Sequence, residues 1–150
     1  MNTTLRNALF ACSVVVCTSF SAVAQARDSQ LFLPLSEALN SADFIDRLDP
    51  NITFFFGDQP YPGSATALGE FVTNKKTNAF NKTDEEACQW VLLSAMLSLQ
   101  ERAIAQGGNA VVNIRSYYKK NEFSSNTEYE CHAGGLIAGV ALIGEVVRLP

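Results

Sequence analysis

The chain has one histidine, one tryptophan, two methionines and four cysteines in 150 residues. A zinc centre needs three or four protein ligands. One copy therefore cannot build a His-based cluster around His132. The lone histidine directly follows Cys131. On a strand, successive side chains point to opposite faces, so these two share neither a ligand set nor a nucleophile–base geometry. No metal and no cofactor are expected. The G-x-x-x-x-G-K-[ST] phosphate loop is missing too. Positive charge is scarce, with eleven Lys and Arg against fifteen Asp and Glu. Nucleic-acid partners call for a basic surface, so neither nucleic acid nor nucleotide is expected. Lys75-Lys76 and Lys119-Lys120 read as solvated turn charges.

Long apolar runs are also few. Residues 1–26 read as a secretory leader: Arg6 supplies the positive end, Ala8 to Ala24 is small and apolar, and Ala24-Gln25-Ala26 is an A-x-A cleavage site. The run is short for a membrane span, which needs about 20 apolar residues, and it contains Cys, Ser and Thr. Leu9-Phe10-Ala11-Cys12 resembles a lipobox, but Phe10 is wrong for one and most of the apolar run follows Cys12. A single domain over 27–150, exported to the periplasm and without a stable membrane span, is the expectation. Cys12 and Cys17 leave with the leader. Cys88 and Cys131 remain in an oxidising compartment, where one disulfide is the simplest outcome.

What is present is dominated by one stretch, Thr83 to Asn113. Thr83 is a good N-cap, and Glu86 three residues later completes a capping-box pattern. Asp84, Glu85 and Glu86 suit the positive end of a helix dipole better than they suggest catalysis. Gly107-Gly108 supplies the left-handed stop. Cys88, Leu92, Ala95, Met96, Leu99 and Ala103 form one apolar stripe, and Trp90, Leu93, Leu97 and Ile104 a second beside it. Together they cover roughly 200°, about twice the stripe of a surface helix. Either both stripes are buried within the domain, or one faces the sheet while Trp90, Leu93 and Leu97 meet a second subunit. Gln89 and Gln100 fall within the arc and, if buried, need partners.

The flanking pattern predicts strands. Leu31 to Leu35 is extended ahead of Pro34. Ser36 starts a helix that runs to about Leu48, with Ala38, Leu39, Ala42, Ile45 and Leu48 inward. Ile52–Phe56 and Ala65–Thr73 are strands, and Asn74–Asn81 is a polar connection. Ala110, Val112 and Ile114 alternate with Asn113 and Arg115, and Tyr129 and Cys131 with Glu128, Glu130 and His132. A hairpin centred between Glu122 and Phe123 would oppose Arg115 to Glu130, Asn113 to His132 and Ile114 to Cys131. It would aim Cys131 at Cys88 on the helix. Gly134–Leu149 reads as a bulged last strand, buried or free to pair at its edge with another copy. The fold expected is α+β: an antiparallel sheet of about four to five strands, one long helix on one face, and a short N-terminal helix.

The run Gly107-Gly108-Asn109-Ala110-Val111-Val112-Asn113, between a long helix and a hairpin, resembles a known small α+β design. It is similar to the pentameric family named for heavy-metal binding and, more distantly, to the disulfide-bonded sensor domain of the Rcs stress-pathway lipoprotein. The similarity covers about Asp84 to Leu149. The whole chain also resembles small exported bacterial proteins, some of which carry an excision-repair ATPase label that nothing in this sequence supports. The metal ligands of the first family have no counterparts here. Two functions are compatible with these residues. One is a non-enzymatic domain that contacts itself or an envelope protein. The other is a ligand-binding or enzymatic domain using the polar face of Asn113, Arg115, Glu128, Glu130 and His132, on which a carboxylate–His acid/base site can be drawn.

Overall fold

The computed structural model describes residues 27–150. The leader expected over 1–26, with Cys12 and Cys17, lies outside them. The elements in chain order are β1 (Ser29–Pro34), α1 (Leu35–Leu39), α2 (Ala42–Arg47), β2 (Thr53–Phe56), β3 (Thr66–Asn78), α3 (Asp84–Gln106), β4 (Ala110–Tyr118), β5 (Asn121–Phe123), β6 (Glu128–Ala133) and β7 (Ile137–Arg148). They form one seven-stranded sheet with α3 packed on one face. The α+β class stands, but the sheet is larger than expected and mixed, because β2 and β4 run parallel.

The long helix follows its local chemistry closely. Thr83 Oγ1 accepts the Glu86 amide at 3.1 Å. At the other end Gly107 is left-handed, with φ +72°, and the Gly107 and Gly108 amides donate to the Ile104 and Ala103 carbonyls. This double closure satisfies carbonyls that the last turn leaves free. The Arg148 guanidinium reaches back to the Gly107 carbonyl, placing a cation at the negative end of the helix. Gly108 is fixed by packing. A Cβ there would sit 2.7 Å from the Val147 carbonyl oxygen and from Val146 Cγ1. Asn109 then brackets Leu149, accepting its amide at 2.7 Å and donating to its carbonyl at 3.2 Å. The Gly-Gly-Asn junction is therefore the seam joining α3, β4 and the end of β7.

The core lies between α3 and the sheet. Leu92, Met96, Leu99, Val111, Ile114, Val140, Leu142 and Val146 are essentially inaccessible. Cys88 and Cys131 meet there in disulfide geometry, with Cα atoms 5.9 Å apart. The second stripe of α3 is largely covered by the same chain. Leu93 is 1% exposed, Trp90 and Leu97 are half-buried, and Ile104 stays exposed. Arg47 of α2 lies over the Trp90 ring at 5.1 Å. Gln100 is buried and accepts the Asp49 amide at 2.7 Å, so its partner is backbone. Tyr129 is fully buried with its hydroxyl unpartnered among the described residues. Burial, then the charges of Glu37 and Glu85, raise the pKa of that phenol.

Several expectations need correction. The N-terminal helix is two short helices broken at Asn40–Ser41, where Asn40 Nδ2 donates to the Ser36 carbonyl. The break resets the phase, so Phe44 is buried and Ile45 is exposed. β3 does not end at Thr73 but continues through Asn78, with Lys75 and Lys76 in the strand. It reads as polar because it lies at the margin of the sheet. β7 is no edge. β3 pairs along one side of it, and β4 and then β6 along the other. The bulges lie in its partners, between Ala67 and Gly69 and between Val112 and Arg115.

Candidate functional site

The predicted hairpin does not form, and the reason is local. Lys119 and Lys120 have φ of +50° and +66°. Two left-handed residues in succession make the tight turn that matches strand twist. β4 therefore folds back at once onto β5, with Tyr118 opposite Asn121 and Tyr117 opposite Glu122. β6 is left to pair with β1, where Phe32 meets Glu130 and Gln30 meets His132. The five residues read as one polar face are thereby divided. Asn113 and Arg115 belong to one cluster, Glu130 and His132 to another, and Glu128 stands exposed opposite Pro34.

The first cluster centres on Arg115. Its guanidinium meets Glu122 at 2.7 Å and Glu70 of β3 at 3.2 Å, not Glu130. Asn113, held at φ +50° in the β4 bulge, donates to Glu145 at 3.3 Å. The hydrogen bond from Arg115 holds the Glu122 carboxyl below its ordinary value of 4.5. A carboxyl with a depressed pKa contributes stability above its unfolded pKa and loses it as pH falls through the folded one. Acid should therefore loosen the β4–β5 hairpin at pH values below about 4.5. Glu122→Gln should flatten that part of the stability–pH curve, as read by urea unfolding at stepped pH. Glu122 is exposed, so the effect is a change of slope in a small term.

The second cluster centres on His132. Nε2 lies 2.9 Å from Glu130 Oε1, and Nδ1 lies 3.2 Å from Asp28 Oδ1. Gln30 Nε2 donates to the same Glu130 oxygen at 2.8 Å. The ring stacks on Tyr118, centroid to centroid at 3.4 Å and 12° from parallel. Glu130 is 6% exposed, and its backbone amide donates to Ser116 Oγ. Both ring nitrogens thus lie within hydrogen-bond distance of carboxylate oxygens. Chemically the group is a saturated hydrogen-bonded cluster, and its Asp28, His132 and Tyr118 line an open depression with Lys76, Ile137 and Gly139. Every His132 nitrogen already has a partner. Asp28 and Gln30 were invisible to sequence reasoning because they lie 104 and 100 positions from the side chains they meet, and Tyr118 because it reaches His132 from the end of β4, a strand that β6 does not pair with.

The other candidates fall elsewhere. Cys88 and Cys131 are together, as expected. Trp90 and Leu93 line a shallow hollow with Phe44, Ser41, Glu86 and Gln89 where α2 crosses α3. Leu97 is packed against the core. Among the described residues, no group of three or more His, Cys, Asp or Glu side chains could hold a metal ion, and no helix is long and apolar enough to cross a membrane. Comparison with protein-family models, with curated proteins and with solved structures found no match to this chain.

Proposed function

We propose that this is an exported, disulfide-braced, non-enzymatic domain that works through protein contact, its own copies included. The observation that carries the reading is β3. It is a 13-residue strand at the margin of the sheet, and among the described residues nothing pairs with its outer side. An unpaired edge presents backbone donors and acceptors that another strand can complete. Val72, on the sheet face turned away from α3, is 55% exposed and adds an apolar contact beside that edge. The two polar clusters support the same reading, because Arg115 and His132 are already occupied by partners within the chain.

A photo-crosslinking residue placed at Val72 in cells that export the protein tests this. It should yield a protein adduct of defined mass, while the same residue at Ile45, exposed on α2, should yield none. Equal labelling at both sites, or none at Val72, would defeat the reading. The alternative is a ligand-binding or enzymatic site around Arg115, Glu130 and His132. It draws on the depression beside His132 and Tyr118.

A further inference from the structure

The unpaired edge of β3 carries its own complement. We infer that two copies of this chain join edge to edge through β3, antiparallel, about a twofold axis at Thr73. This rests on the contact reading above and specifies its partner, register and symmetry.

The other outer strands are short. β1 has six residues, β2 four and β5 three, against 13 for β3. A strand that pairs with its own copy does so isologously, so each contact occurs twice. A twofold axis perpendicular to the sheet keeps both long helices on the same side. Opposed residues must then belong to the same face of β3. Phe71, Thr73 and Lys75 are drawn inward on the α3 side, while Glu70, Val72, Asn74 and Lys76 are exposed on the other.

Three centres are available near the middle of the strand. Centring on Val72 opposes Lys76 to Leu68. Centring on Asn74 opposes Glu70 to Asn78. Only Thr73 as the centre opposes Glu70 of each copy to Lys76 of the other, giving two opposite-charge pairs on the exposed face. The same register sets Phe71 against Lys75 on the helix side, where the lysine stem can lie along the ring. Lysines on an edge usually deter pairing, but here each meets a carboxylate.

A second observation selects the same centre. Thr73 Oγ1 is buried and has no hydrogen-bond partner among the described residues. Its residue is 5% exposed. Buried hydroxyls are ordinarily satisfied, and cross-strand Thr–Thr hydrogen bonds are a recurrent stabilising pair. Side chains directly opposite across an antiparallel pair have Cβ atoms about 4.5–5.5 Å apart. With Thr73 on the axis the two threonines lie directly opposite, and a turn about χ1 brings each orphaned hydroxyl, covered within its own copy, toward the other. Glu70 already receives Arg115 at 3.2 Å through one oxygen, and its other oxygen is free for the second copy's Lys76.

Sedimentation equilibrium on the oxidised 27–150 chain and its charge variants tests this, with circular dichroism confirming the fold of each. The parent should form a dimer. Lys76→Glu should weaken it by about tenfold or more, because two favourable pairs become two repulsive ones. Adding Glu70→Lys to that variant should recover much of the lost affinity, since both pairs re-form with signs reversed, while Arg115 gives up Glu70 and keeps Glu122. A strict monomer, an assembly insensitive to Lys76→Glu, or a double variant that fails to recover would each overturn this interface. A monomer that still gives a Val72 adduct with another protein would overturn it while leaving the contact reading in place.

Discussion

Reducing the Cys88–Cys131 bond should lower the unfolding free energy of the domain by about 3–4 kcal/mol. The two cysteines are 43 positions apart, and the loop they close contains most of α3, all of β4 and β5, and most of β6. Cross-linking so long a segment removes freedom chiefly from the unfolded chain. The bond also joins the helix to a strand whose backbone pairs only with β1 and, over two residues, with β7. Without it, β1 and β6 would be held to the rest mainly by side-chain packing. Both cysteines are inaccessible in the folded domain, so a reductant acts through the unfolded state. Equilibrium urea unfolding with and without reductant is the appropriate measurement. The midpoint should fall sharply in reductant. An unchanged midpoint would show that the bond carries no stability.

Leu92→Ala should cost about 2–5 kcal/mol. Leu92 is 0% exposed, on the stripe of α3 that faces the sheet. Truncating it loses apolar burial and leaves a cavity that α3 cannot collapse into, because Cys88 ties the helix to β6 and the Gly107–Gly108 seam ties it to β4 and β7. A domain of this size is stable by only about 5–15 kcal/mol, so the loss is a large share. Ile104→Ala on the same helix is the control. Ile104 is 53% exposed, and its truncation should change the urea midpoint little. Similar effects at the two positions would mean that the helix is not seated as described.

The two halves of the fold differed in how far the sequence disclosed them. α3 was legible to within a residue at both ends because its signals are local: Thr83, the acidic first turn and Gly107 act within one turn of where they stand. The Cys88–Cys131 pairing was expected from cysteine count, a helix face and a hairpin register; the first two stand, whereas Cys131 reaches the helix from a strand paired with β1. The sheet was less legible because its order is set by non-local pairing. Lys119-Lys120 read as turn charges and do form a turn, but two lysines carry no signature of a tight left-handed reversal, and that reversal reassigned Arg115 from Glu130 to Glu122 and Glu70. The parallel β2–β4 pair has β3 and α3 between its strands in sequence, so adjacency along the chain gave no hint of it. β3 lost Asn74–Asn78 to a composition of Asn, Lys and Thr, which reads as loop unless one knows that the strand stands at an edge. The polar face was likewise identified residue by residue but grouped wrongly, since Asp28 and Gln30 approach His132 from the far end of the chain.

A native, non-reduced mass spectrum of the protein taken from the cell envelope tests the central claim most directly. The account predicts a subunit of residues 27–150 lighter by the two hydrogens of one disulfide, carried in a complex with protein and with no small molecule retained. A bare monomer with both thiols free, or a subunit holding a small molecule, would contradict it.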